Sequence, residues 1–204
     1  ARSLTEFGEL LALGAERVTL ALDAASERVY NRLKGRDWQQ TLDLLWSAAE
    51  QYPGHVGTHV IIGLGETEAE AVRVLQAMHD LGIMTGLFAF TPVPGTALAG
   101  QSPPPLAAYR RMQVARYLIA GGWARAEEFS FSPSGLITSY GVDTARLRTL
   151  LQDGRAFETS GCPGCNRPYY NERPAGPLYN YPRPLQPAEA ATATALVIAC
   201  LEDR

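Results

Sequence analysis

Cysteine is scarce in this chain: there are three in 204 residues, two of them close together as Cys162 and Cys165. So few thiols cannot staple a protein of this size, which excludes a disulfide framework and suits a reducing compartment. Long apolar runs are missing as well. Nothing approaches the ~20 apolar residues that a membrane-spanning helix needs, and no charged-then-apolar leader is found, so the expectation is a cytoplasmic protein without a membrane partner. Net charge is also small. The 18 Lys and Arg against 21 Asp and Glu leave a formal charge of -3, scattered rather than striped, so nucleic acid is not an expected partner. What the chain has is apolar content, 46% of its residues, enough for a sizeable core in a soluble globular domain.

Apolar spacing gives the organisation. Leu4, Phe7, Leu10, Leu11 and Leu13 form a helical stripe that begins almost at once and stops at Gly14. With Ala1 instead of Met in first place, the expectation is a truncated start. A β-branched run at 17–22 reads as a buried strand, and Asp37 caps a helix carrying Leu42, Leu45, Trp46 and Ala49 that Pro53-Gly54 ends. Residues 56–62 are a second strand. Thr67 and Glu70 have capping-box spacing before a helix that Gly82 stops, and residues 83–90 are a third strand. After a Pro-rich connection, the pattern predicts a helix over 106–120, an alternating stretch at 127–131, a helix over 144–151 and a last short strand at 156–159. Residues 160–185, rich in Pro, Gly, Tyr and Asn, read as an ordered loop. Strands alternating with helices imply a parallel sheet, and the spacing fits part of a (βα) barrel over 1–159 with an irregular extension over 160–204 packed upon it.

In α/β folds ligands bind beyond the carboxyl ends of the strands. Asp23 follows the first strand, where its carboxylate could accept hydrogen bonds from a ribose diol or could cap a turn. Gly63, Gly65 and Glu66 follow the second, where glycines admit a close ligand or close a tight connection. Thr91 to Thr96 follow the third, with prolines holding the backbone extended. His59 shares a strand face with Ile61 and reads as an inward-facing residue, either a hydrogen-bonded core histidine or a catalytic base.

In their order, Leu22-Asp23, the segment 30–42 with Arg36, the run Ile61-Ile62-Gly63-Leu64-Gly65-Glu66-Thr67 and the run Val93-Pro94-Gly95-Thr96 resemble the radical S-adenosylmethionine (SAM) family, in particular its biotin synthase-like branch. The resemblance implies a TIM-like partial barrel with a SAM pocket. It places Asp23 near the ribose, Ile61, Gly63, Gly65 and Glu66 around the adenine, Thr91 and Val93 beside it, and Arg36 facing the methionine carboxylate. It also implies a [4Fe-4S] cluster, a 5′-deoxyadenosyl radical that abstracts hydrogen from an unactivated carbon, and a reductant protein. Two departures matter. The family's CxxxCxxC triplet is not in this sequence, so this chain alone is expected to be inactive. Ala21 stands where biotin synthases commonly have Asn, His59 where they have Gly, and residues 129–134 offer no counterpart to the Arg that binds their second cluster, which disfavours biotin synthase activity itself.

Cys162-Pro163-Gly164-Cys165 is half of a tetrahedral thiolate site, placed by the pattern at the catalytic end. An auxiliary Fe-S cluster, a structural zinc ion and a thiol redox pair remain open for it, in that order of preference. Cys200, in an apolar stretch, reads as a buried helix residue. The stretch 157–172 resembles the end of two-component lipoyl synthase-like proteins, which implies sulfur insertion and a small-molecule or lipoyl-carrier substrate. Tyr169, Tyr170, Tyr179, Asn180 and Tyr181 would then cover the barrel mouth, face a partner or simply pack their rings. The alternative is a non-catalytic partner subunit that binds SAM or a metal.

Overall fold

Left-handed glycines end several helices of this chain. In a computed structural model, which describes residues 2–35, 37–162 and 176–202, helix α1 (Leu4–Ala12) ends with Gly14 at φ 94°, its N–H donating to Leu11 while Ala15 N–H reaches Leu10. This is the Schellman motif, in which a left-handed residue lets the next amides satisfy the last carbonyls. Helix α4 (Glu68–Asp80) ends the same way through Gly82, and α5 (Leu106–Ala120) through Gly122. The capping box expected at the start of α4 is present, with Thr67 and Glu70 exchanging hydrogen bonds. Asp37 caps α3 (Trp38–Gln51) by accepting from Gln40 N–H at 3.0 Å.

Between these helices run β1 (Val18–Thr19), β2 (Val56–Ile62) and β3 (Met84–Ala89), a parallel sheet in the order β1-β2-β3. Val56, Val60 and Ile62, on one side of β2, are buried and join the cores under the helices. The alternate side chains, His59 and Ile61 with Met84 and Phe88 on β3, stay half-buried. One core gathers α1, α2 (Glu27–Lys34) and α3 about Val18, Val56 and Leu22. The other gathers α4, α5, α6 (Thr144–Leu151) and α7 (Pro187–Glu202) about Val60, Ile62, Leu87 and Ala89.

The first strand carries an irregularity with a visible cause. Val18 pairs with Val56 and Thr19 with Gly57, yet Asp23 pairs with Val60, so β1 holds one residue more than β2 over this stretch. Thr58, fully buried, fills the gap: its hydroxyl donates to Leu20 C=O at 2.8 Å and accepts from Leu22 N–H at 3.1 Å.

Two strand expectations are corrected. The stretch at 127–131 forms a 3-10 turn (Ala126–Glu128) and then β4 (Ser130–Phe131), which pairs antiparallel with β5 (Ile137–Ser139) in a separate two-stranded sheet. At 156–159 the chain makes a 3-10 turn (Arg155–Phe157) and one isolated bridge, Glu158 with Tyr181. The parallel sheet of the described residues therefore has three strands, and no barrel is closed among them. The edge of β3 is occupied by side chains instead. Ser160 Oγ accepts from Leu87 N–H at 2.7 Å, and Tyr109 OH donates to Leu87 C=O at 3.0 Å, blunting an open strand edge. Among the described residues no helix is long and apolar enough to cross a membrane.

The tail returns to the body of the protein. Tyr179, Tyr181 and Leu185 pack against the same core as α5, and α7 contributes Ala193, Val197 and Ile198 to it. Pro187 opens α7, where no N–H is missed, and Glu189 accepts from Gln186 N–H at 2.8 Å while pairing with Arg183. The Arg183 bond, then the Gln186 amide, lower the Glu189 pKa from 4.5 to about 2. A depressed carboxylate stabilises the fold above its ordinary range and loses that contribution as pH falls through the folded-state value. Thermal melts of wild type and Glu189→Gln should differ at pH 6 and converge as pH falls from 4.5 toward about 2; a gap unchanged across that window would contradict the assignment.

Candidate functional site

The carboxyl ends of the three strands come together as a rim. Asp23 N–H donates to His59 C=O at 2.8 Å, Ile61 N–H to Asp23 C=O at 2.7 Å, and Phe90 N–H to Ile62 C=O at 2.8 Å, which joins the first, second and third strand ends side by side. Asp23 is the one non-glycine residue with positive φ, 61°, among those described. Asp tolerates the left-handed region better than most residues, and such conformations concentrate at functional sites. Its Oδ2 is bonded to Lys34 at the end of α2, while no bond to Oδ1 is made among the described residues.

The glycine turn is braced from within. Gly63 has φ 102° and Gly65 φ 110°, which other residues adopt only under strain. The Glu66 carboxylate accepts from Gly63 N–H at 2.6 Å and Leu64 N–H at 3.0 Å. Burial pushes the Glu66 pKa up, against the backbone amides that pull it down. The turn's carbonyls are also engaged: Gly63 by Gln101 at 2.6 Å, Leu64 by Arg32 at 2.8 Å and Gly65 by Arg28 at 2.9 Å. A Cβ on Gly63 would lie 2.9 Å from Pro104, so Pro104 packing accounts for that glycine without a ligand. Glu66 acts here as an internal brace.

Beyond β3, Thr91 and Val93 are exposed, and Val93 C=O accepts from both N–H and Oγ1 of Thr96, closing a turn. Arg36 lies outside the described residues, as do Cys165, Tyr169 and Tyr170. Ile61 and His59 sit on the half-buried face of the sheet, His59 meeting Phe88 edge-on with ring centroids 4.9 Å apart. Gly86 leaves the space this contact needs, since a Cβ there would come within 3.2 Å of the His59 ring.

The residues just before Cys162 run along β3. Ser160 stands beside Gly86 and Leu87 in the middle of β3, and Gly161 beside Met84 at its start, rather than beyond the strand's carboxyl end. Cys162 is an exposed free thiol, and among the described residues no group of three His, Cys, Asp or Glu could hold a metal ion. Cys200 is half-buried on α7. Tyr179, Asn180 and Tyr181 settle onto α5: Tyr109 OH bonds Asn180, Tyr179 OH donates to Pro104 C=O at 2.7 Å, and Arg110 lies against the Tyr181 ring.

Sequence reasoning missed Lys34, Arg28 and Arg32, the basic side chains of α2 that hold Asp23 and the glycine turn. Their spacing gave a signal, since 28 and 32 are one helical turn apart, on one face. Compared with known proteins, the chain matches no family model, no curated protein and no solved structure.

Proposed function

We propose that the carboxyl ends of β1, β2 and β3 form the nucleoside-binding wall of an S-adenosylmethionine site, on a partial (βα) barrel of a radical SAM enzyme. The observation that carries this reading is Asp23: a carboxylate fixed in a left-handed turn at a strand end, with one oxygen tied to Lys34 and the other turned to no described partner. Such an acceptor suits a ribose diol. The sheet supports the barrel. Parallel strands are ordinarily covered on both faces, whereas here the face of Ile61 and Phe88 is half-exposed, as the interior of an unclosed barrel would be.

The residues present fit the nucleoside but not a cluster. The sequence lacks CxxxCxxC, and the described residues bring no three ligands together to hold a cluster. When bound to its enzyme, such a cluster supplies the electron that cleaves SAM. This chain's own part is to bind and orient. Asp23 would accept the diol hydrogens, the Glu66-braced turn would meet the base without being reordered, and Ile61 and Phe88 would keep water from the reacting end. The reaction class is hydrogen abstraction from an unactivated carbon, extended to sulfur insertion on a small-molecule or lipoyl-carrier substrate, with a reductant protein in the cytoplasm.

Isothermal titration with SAM tests the wall directly. Hydrogen bonds to a charged acceptor contribute about 1.5–3 kcal/mol, so Asp23→Asn should bind at least ~10-fold more weakly. Asn keeps the left-handed preference, which separates lost charge from a lost turn. Absence of SAM binding by wild type, or equal binding by the variant, would defeat the reading. A second reading, a non-catalytic SAM- or metal-binding partner subunit, is favoured by the missing triplet. Formation of 5′-deoxyadenosine only when a cluster-bearing polypeptide is added would decide for it.

A further inference from the structure

The start of β3, at the opposite end of the sheet from Asp23, opens into a cavity of about 250 Å³ between the last turns of α4 and α5. Its walls include Leu75, Ile83 and Ile119, with His79, Thr85 and Arg116 as the polar members. Arg116 is half-buried on α5 and makes no hydrogen bond or ion pair among the described residues. The buried Arg110 and Arg111 and the half-buried Arg17 do otherwise. Arg111 is paired with Glu68, Arg110 is bonded to backbone carbonyls, and Arg17 reaches Gly54 C=O.

A half-buried guanidinium that lines a cavity beside apolar walls and has no acceptor among the described residues is open to an anion from solution. The nearby helix ends do not supply an acceptor. Both α4 and α5 close in Schellman motifs, so Met78, His79, Leu118 and Ile119 carbonyls already accept from the amides of residues 82, 83, 122 and 123. Burial lowers the Arg116 pKa from its ordinary value.

We infer that this cavity is a binding site for a small organic carboxylate, its anionic head paired with Arg116 and its short apolar tail lying against Leu75, Ile83 and Ile119. The planar fork of an arginine matches a carboxylate in two parallel hydrogen bonds. The walls then decide between anions, since they reward an alkyl group and offer inorganic phosphate nothing beyond the charge. Thr85 and His79 are the other polar side chains of the lining and could bond the same head. The site is independent of the strand-end wall proposed above, and either can fail without the other.

The test uses the whole chain, with sodium butyrate, sodium acetate and inorganic phosphate as probes at constant ionic strength. Butyrate is expected to raise the melting temperature and to shift the amide resonances of Leu75, Ile83 and Ile119 saturably, with acetate weaker and phosphate without saturable effect. Arg116→Met should melt close to wild type without ligand, since it breaks no hydrogen bond or ion pair among the described residues, and should lose the butyrate response. Arg116→Lys, which keeps the charge, should retain a weakened one. Saturable shifts that persist in Arg116→Met, phosphate matching butyrate, or no response of wild type to butyrate would each overturn the assignment.

Discussion

Replacing Arg111 with methionine is expected to destabilise the fold by about 3–5 kcal/mol, the cost of leaving one member of a buried ion pair alone. Arg111 and Glu68 have side chains only 8% exposed, and Arg111 Nε donates to both Glu68 oxygens, at 2.9 and 3.1 Å, with Nη2 adding a third bond to Oε1. The pair belongs to no single element. Glu68 opens α4, Arg111 sits within α5, and Glu68 also accepts from Ile137 N–H at 2.8 Å while Tyr140 OH donates to Arg111 C=O at 3.1 Å. The small antiparallel sheet is thereby fixed to the two helices. Burial, then the Glu68 charge, hold the Tyr140 phenol pKa well above its usual value. Urea denaturation should show the loss as a lowered midpoint, and the melting temperature should fall by roughly 10 °C for a domain of this size. Glu68→Leu combined with Arg111→Met should recover most of it, because both charges leave together. A double variant as unstable as the single one would mean that packing, not the orphaned carboxylate, sets the cost.

Arg110 carries the second large effect. It is 2% exposed, donates to Leu178 C=O at 2.7 Å, Tyr179 C=O at 2.6 Å and Gln113 Oε1 at 2.6 Å, and lies between the rings of Phe157 and Tyr181, each 5.3 Å from its central carbon. Two part-buried carbonyls would lose a charged donor in Arg110→Met, a cost of about 3 kcal/mol at 1.5–3 kcal/mol per charge-assisted bond with partial relaxation. Lysine should not rescue it, for a single ammonium cannot reproduce the fork or stack between two rings. The damage should be local as well as global. Limited proteolysis of Arg110→Met should cut first within 176–186, the stretch that Arg110 and Gln113 hold; cleavage at the same sites and rate in wild type would mean that the anchor does nothing.

Those two arginines also show why part of the fold was hidden in the sequence. Gly14, Gly82, Asp37 and the Thr67–Glu70 box act within a few residues of themselves, so their signals are local and the helix ends and β2 could be read from spacing. In α5, Arg110, Arg111 and Gln113 are all buried, against the expectation that charged positions mark a solvent face. Their partners lie far along the chain, in α4 and in the tail, where no period reveals them. Helix α2 was missed for a related reason. It is short and strongly charged, and its role depends on Arg28 and Arg32 reaching a turn after another strand. The strand at 127–131 was misassigned because alternation marks a half-buried strand without saying which neighbour it pairs with.

The candidate site was legible as positions but not as roles. Asp23, the glycine turn and the end of β3 do lie side by side, as parallel strands require. Nothing in the sequence announced that Glu66 turns inward to its own backbone, or that Lys34 takes one oxygen of Asp23. Whether Cys162 finds a second thiol is decided by Cys165, which lies outside the described residues.

The extra residue in β1 has a geometric consequence for anything that docks there. In a regular ladder Asp23 would stand level with Ile61; the bulge held by Thr58 draws it back level with Val60, one residue's rise of about 3.3 Å below the rim. The Asp23 backbone is set back by that much, so a ligand of the kind proposed would meet this acceptor below the level of the second strand's end. A threonine hydroxyl on the neighbouring strand thus sets the level at which the proposed acceptor stands.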